Sequence, residues 1–276
     1  MNTEYDAWIG KTEVFKEQLS ELNIKRLQHT LNLDAKPLSL GEEVFPLALL
    51  ILGEPSLPPN QLGEDGHPVR GEFMPPIPLK RRMFAGGEYE FFQPLRVGDL
   101  VKISWKITDV NLKQGESGEL IFVNILREFH VSETLCATEN RTIVYTDSEP
   151  KKSELKDREI PGEWIEEMNT DPIQLFRYSA LTFNGHRIHY DRSYATEVEG
   201  YPGLVIHGPL LATWLSLFAA GKSGRQLKKF RFRGKRPVFD SHHFMLTGKK
   251  SGNDSASLRV LDHQYQLAVS AEAEFF

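Results

Sequence analysis

Apolar residues recur along this chain in two rhythms, one helical and one alternating, and the points where they change over outline its architecture. Between residues 7 and 35, Leu19, Leu22, Ile24, Leu27 and Leu31 return at roughly helical spacing among charges, which predicts a helical opening. Phe45 to Leu52 is an unbroken apolar run, compatible with a buried helix or a buried strand. Residues 53–79 are rich in Gly and Pro and predict a long irregular segment, the kind of loop that is functional or mobile in a compact domain. From Met83 the period becomes two. Tyr89, Phe91, Val101, Ile103, Trp105 and Ile107 alternate with polar residues, a turn falls at Gln114–Gly118, and 120–131 and 135–145 supply two further strands.

Residues 146–163 are charged, nearly free of large apolar groups and carry two prolines, which marks a boundary. Beyond it the plan repeats. A long apolar run from Leu210 to Ala220 reads as a helix. Strand-like runs follow at 230–239 and 243–247, then a turn around Gly248, then strands at 257–261 and 265–275. The common order of helix, strand, Gly-rich turn and strands points to duplication in pattern. The expected organisation is a first half at 1–147, a linker at 148–163 and a second half at 164–276. The fold class is α+β, with an antiparallel sheet wrapped around an apolar helix in each half, the double hotdog arrangement.

Composition narrows the field without selecting a chemistry. The 276 residues hold 40% hydrophobic and 26% charged residues with a net charge of −5, ordinary for a globular chain and without the positive excess of a general nucleic-acid binder. A single cysteine, Cys136, excludes an intrachain disulfide, and its place in an alternating run predicts burial. The apolar runs at 44–52 and 210–220 are too short to span a bilayer, and the first residues lack a signal-peptide pattern, so a cytoplasmic setting is expected.

The candidate chemistry lies in Arg177–Ala220. A polar segment holds Asn184, His186, Arg187, His189, Tyr190 and Asp191. A Gly-rich turn ending in His207-Gly208-Pro209 then leads into the apolar helix. Pro209 suits the first helical turn, where its missing N–H would have no partner. The free N–H groups at Gly208 form the positive end of the helix dipole. His189 is the candidate base and the Gly208 N–H the candidate donor to a developing oxyanion. Ser216, two turns on, is placed to bond back toward the site, and His186 and His207 serve as wall or support groups. His242 and His243 fall on opposite faces of an expected strand, which argues against a shared metal, and no metal site is expected. On the strand at 230–233, Arg231 and Arg233 share one face. With Lys228 they are candidates for binding phosphate charges.

The block SALTFNGHRIHYDRSYA at 179–195, with YPGLVIHGPL at 201–210, resembles the hydratase motif of MaoC-like enoyl-thioester hydratases and type 2 3-hydroxyacyl-thioester dehydratases. The segment 63–99 resembles the first half of the mesaconyl-C4-CoA hydratase group. The resemblance implies a hotdog fold, a CoA or acyl-carrier thioester as substrate, no separate cofactor, and a monomeric pseudo-dimer or a homodimer. It places the catalytic histidine at His189 and the helix-opening glycine at Gly208. The family's acid falls on Asn184, a departure, because an amide neither takes nor gives a proton at neutral pH. Asp191 corresponds to a helix N-cap. Arg81, Arg82, Arg187, Tyr190, His207 and Ser216 are assigned to the substrate pocket, the arginines as partners for a distal carboxylate. Three functions are compared below: a hydro-lyase of a branched C5 dicarboxylic enoyl-CoA, a dehydratase of longer acyl chains, and a non-catalytic acyl-thioester binder.

Overall fold

The computed structural model describes residues 4–115, 118–148 and 158–276. Ten strands form one antiparallel sheet in the order β1-β3-β4-β5-β2-β7-β10-β9-β8-β6. The first half supplies β1 (Thr12–Gln18), β2 (Arg81–Phe91), β3 (Leu100–Gly115), β4 (Gly118–Val131) and β5 (Thr134–Thr146). The second supplies β6 (Trp164–Met168), β7 (Leu227–Gly234), β8 (Phe244–Lys250), β9 (Ser255–Leu261) and β10 (Leu267–Phe275). Numbered within each half, both run 1-3-4-5-2 from the outer edge inward. The repeat sensed in the residue pattern is therefore a repeat of topology. The charged stretch expected as a linker lies largely at 149–157, outside the described residues.

The halves meet at β2 and β7, where Gly86 opposes Arg233, Gly87 opposes Phe232 and Glu88 opposes Arg231. A Cβ on Gly86 would stand 2.5 Å from the Phe232 carbonyl oxygen, so this glycine permits the close approach. On the inner face Phe84 stacks on Phe232 at 5.5 Å and Tyr89 stacks on Phe232 at 6.3 Å. On the outer face Arg231 pairs with Glu88 and Glu272, and Lys229 with Glu90.

Helix α3 (Gly208–Ser223) is the element the sheet encloses. Leu210, Leu211, Ala212, Trp214, Leu215, Phe218 and Ala219 are all buried, as expected of a helix apolar on nearly every side. Pro209 occupies its first turn, and Gly224 ends it in the left-handed conformation at φ 67°. The first half has no helix of that length among the described residues. The expected opening helix is instead β1 followed by the ten-residue α1 (Glu21–Thr30), because 12–18 alternates exposed and half-buried positions along the sheet edge. The apolar run at 45–52 is a 3₁₀ helix, Pro46–Ile51, buried under the sheet. Two further elements escaped the residue pattern: the short edge strand β6 and helix α2 (Pro172–Leu181), capped by the Asp171 side chain and started by Pro172.

Space beneath the first half's sheet is filled by charge. Arg127 and Glu139, both fully buried, pair at 2.6 Å; Arg141 bonds Glu139 at 3.0 Å and Glu54 at 2.8 Å; the Tyr89 hydroxyl donates to Glu139 at 3.0 Å. Burial alone would raise the Glu139 pKa, but Arg141 and Arg127 outweigh it and hold the carboxyl below its ordinary range. Leu215 in α3 is wholly inaccessible. Leu215→Ala is expected to cost about 2–5 kcal/mol of stability, read as a fall in Tm on thermal unfolding.

Candidate active site

A cavity of about 1470 Å³ lies between the halves. Its wall includes His67, Arg81, Arg82 and Phe84 from the first half and Ser179, Asn184, His186, His189, Tyr190 and Gly208 from the second. The two principal candidates, His189 and Gly208, thus share one wall.

His189 ends a 3₁₀ turn, Arg187–His189. Its Nδ1 lies 2.7 Å from the Val205 carbonyl oxygen. A carbonyl only accepts, so Nδ1 carries the proton and Nε2 is left with its lone pair, the tautomer a base requires. Burial pushes the His189 pKa down to about 4, against a smaller upward effect of the Val205 hydrogen bond. The ring is neutral across the physiological range. The His207 ring stacks on it at 3.7 Å with an interplanar angle of 20°. The His207 Nε2 in turn meets the Ser179 hydroxyl at 2.8 Å.

Gly208 is the first residue of α3, and its N–H has no acceptor within the helix. A Cβ there would make only ordinary contacts with Phe84 at 3.7 Å, so packing does not demand glycine. Gly208 itself forms part of the cavity wall. Asn184 follows Phe183, whose φ of 52° turns the chain out of α2. The Asn184 Oδ1 accepts from the His186 N–H at 3.0 Å, which leaves its amide NH₂ to donate. Asp191 caps the following turn by accepting from the Tyr194 N–H at 3.1 Å, as expected for an N-cap.

A loop of the first half completes the wall. Gly66 packs so tightly on Gly185 that a Cβ on it would meet the Gly185 carbonyl oxygen at 1.9 Å. Arg187 N–H donates to the Asp65 carbonyl at 3.0 Å, and Arg187 Nη1 to the Glu64 carbonyl at 3.1 Å. This contact brings the His67 ring to 4.5 Å from that of His186, which stands at 5.4 Å from His189. Burial pushes the pKa of both His67 and His186 well below the usual histidine value, and Arg82 adds to the effect. His67 escaped the sequence reading. Its one signal was position, a lone histidine in a long Gly- and Pro-rich loop.

Several expected pocket residues sit elsewhere. The Arg187 side chain bonds Asp191 at 2.8 Å and lies over the Tyr194 ring, clamping the loop instead of facing the cavity. His207 lies behind His189, fully buried. The Ser216 hydroxyl donates to the Thr213 carbonyl at 2.8 Å within α3 and does not reach the wall. Tyr190 lines the cavity with its hydroxyl donated to the Gly185 carbonyl at 2.8 Å. Arg81 is in the wall but engaged by Glu199 at 3.0 Å. Arg231 and Arg233 are exposed on the outer face of β7, where the strand's alternation turns them from the cavity, and Lys228 is exposed at the irregularity where the pairing with β10 skips it; none of the three lines the wall. The basic residues of that stretch that do line the cavity are Lys235 and Arg236. His242 and His243 precede β8 instead of alternating within a strand, and both line the wall.

Residues 49–240 match the family model for hydroxyacyl-thioester dehydratase type 2. The chain belongs to that family. It is 38% identical over 276 residues to the mesaconyl-C(4)-CoA hydratase of Chloroflexus aurantiacus, covering 99% of this chain and 98% of the relative. It is 29% identical to the mitochondrial hydroxyacyl-thioester dehydratase type 2 of Schizosaccharomyces pombe, covering 87% and 91% respectively. In fold it is similar to HtdX of Mycobacterium tuberculosis, with TM-score 0.69 at 16% identity over 96% of this chain and 100% of that one. It is likewise similar to a MaoC-like dehydratase from Phytophthora capsici, with TM-score 0.68 at 16% identity over 97% and 96%. The likeness to these two structures supports the double hotdog architecture built above.

Three outcomes are expected from this geometry. Replacing Gly66 with Val forces the 62–68 loop off Gly185, and thermal unfolding together with ligand binding should register the loss. The acid limb of any His189-dependent kcat/KM profile should fall near pH 4 instead of near 6.5. The sign for stability follows from the same shift. Between those values the unfolded chain binds a proton that the folded chain refuses, so stability falls as pH drops from about 6.5 toward 4, measurable by urea titration.

Proposed function

We propose that this protein is a hydro-lyase that adds water across, or removes it from, the double bond conjugated to a CoA thioester. The acyl group is proposed to be a branched C5 dicarboxylic one of the mesaconyl-C4-CoA or itaconyl-CoA type. The observation that carries the reading is the pairing, in one cavity wall, of a tautomer-fixed His189 with the Gly208 N–H at the start of α3, which has no backbone acceptor among the described residues. The 38% identity to a mesaconyl-C(4)-CoA hydratase over nearly the whole chain supports the substrate class.

In the hydration direction His189 Nε2 takes a proton from water as the water oxygen bonds to the β-carbon. The π electrons move toward the thioester, and the negative charge gathers on its oxygen. The Gly208 N–H at the positive end of α3 stabilises that charge, an effect worth ~3 kcal/mol in a dry site. The imidazolium then returns its proton to the α-carbon, so one water is consumed and His189 is regenerated. Asn184 cannot share the proton transfer; its NH₂ orients the water. These groups and water account for the chemistry without a resident cofactor. Lys235 and Arg236, in the wall where β7 ends, are proposed to meet the CoA phosphates in place of Lys228, Arg231 and Arg233.

A dehydratase of long acyl chains would use a groove along 45–52. Of those residues only Leu50 lines the cavity; the others plug the core, which favours the short acyl group. Among the described residues no helix is long and apolar enough to cross a membrane, and we propose a free acyl-CoA substrate and a chain that pairs its two halves internally. The test is an assay of mesaconyl-C4-CoA, itaconyl-CoA and crotonyl-CoA with wild type and His189→Ala. Wild type is expected to turn over a C5 dicarboxylic thioester, and the variant to lose about 10²–10⁴-fold in kcat with ligand binding retained. Turnover of crotonyl-CoA alone would remove the C5 assignment. An absence of hydration in wild type would leave the acyl-thioester binder.

A further inference from the structure

We propose that Arg82, His67 and His186 form a carboxylate-binding subsite at the end of the cavity formed by the 62–68 loop, built to take the second carboxylate of the acyl group. The proposal rests on the functional reading above for the identity of the ligand, and on the following geometry for the site. His67 and His186 stand ring to ring at 4.5 Å, and both form cavity wall. His186 is only 6% exposed, and neither imidazole side chain has a hydrogen-bond partner among the described residues. Each neutral ring has one N–H to donate, and a carboxylate offers two oxygens to receive them.

Charge decides what the pair receives. The acids and bases around this end largely cancel. Arg81 is taken by Glu199, Arg141 by Glu54 and Glu139, and Asp65 lies 4.0 Å from Arg70 with its other oxygen accepting the His67 backbone N–H. Arg82 lines the cavity and has no carboxylate partner among the described residues. It is the stronger neighbouring cation acting on His67 and also acts on His186. The ligand atoms of Asp65, His67 and His186 lie within 4.8 Å of one another, a spacing that also suits a metal ion. A cation would have to enter beside the unbalanced guanidinium of Arg82, whereas an anion is drawn there. A forked guanidinium with two imidazole donors matches a carboxylate held in a water-poor wall. An uncharged acyl end would leave these groups unpaired, so the site would discriminate by charge and hydrogen bonding more than by shape.

The test compares binding of a saturated branched C5 dicarboxylic mono-CoA thioester with that of its terminal amide, by calorimetry on the full chain. Neither ligand can be hydrated, so the result is independent of turnover. Wild type is expected to bind the carboxylate at least about 10-fold more tightly than the amide. Arg82→Gln should abolish that preference, Arg82→Lys should keep part of it, and His67→Ala and His186→Ala should each reduce it several-fold. Equal binding of the two ligands by wild type would overturn the proposal, as would a preference that survives Arg82→Gln. Zinc added to chelator-treated protein is expected to leave the preference unchanged; a carboxylate preference that appears only with zinc would make this a metal site and overturn the anion reading. Failure of wild type to hydrate any enoyl-CoA, with the preference intact, would sink the functional reading and leave the subsite standing.

Discussion

The site depends on two glycines meeting backbone to backbone. Gly66 and Gly185 come from different halves and leave no room for a Cβ on either side of the contact. The Asp65 and Glu64 carbonyls are then held by Arg187, and the loop that carries His67 is fixed against the turn that carries His186 and His189. Without that contact the cavity would lose the 62–68 loop, and His67 with it, from its wall. With it, a loop that looks irregular in sequence becomes a rigid part of the wall. The constraint is steric and local, and its effect is to set the position of rings several ångströms away.

Burial does the rest of the electrostatic work. Four histidines, at 67, 186, 189 and 207, are pushed toward the neutral form by their dry surroundings; His189 further depresses the protonation of His67, His186 and His207, and His186 that of His67 and His207. The same dryness strengthens the field of the α3 N-terminus. A positively charged cluster of imidazoles would compete with the N-terminus of α3 for any anion in the cavity; a neutral cluster competes less. The Val205 carbonyl completes the arrangement by choosing which nitrogen of His189 holds the proton.

Much of this was legible in the residues because the signals were local and periodic. The alternation from 83 to 145, the unbroken apolar run at 210–220 and the Pro209 start each reflect a single element meeting a single environment. His189 and Gly208 were legible because the motif around them is contiguous. What the residues concealed was long-range. Arg187 looks like a pocket cation until Asp191 and Tyr194 are seen to hold it. Arg231 and Arg233 look like a phosphate stripe until the strand is placed with its outer face toward Glu88 and Glu272. Ser216 looks poised for the site, but helical geometry offers its hydroxyl a nearer acceptor in Thr213. His67 lies more than a hundred residues from the motif it joins, and no period or spacing connects them. Strand β1 was hidden for a related reason: at a sheet edge its burial contrast is weak, and adjacent α1 lent it a helical rhythm.

The buried Arg127–Glu139–Arg141 network has a consequence for symmetry. A symmetric pair of identical hotdogs would present two equivalent catalytic centres, one for each copy. Here the space under the first half's part of the sheet is occupied by guanidinium and carboxylate groups and by the 3₁₀ plug at 46–51. That half has exchanged a vacancy of its own for a share in its neighbour's. The molecule therefore has twofold architecture with its halves put to different uses: one closes its interior with charge, and the other lends its histidines to the wall they share.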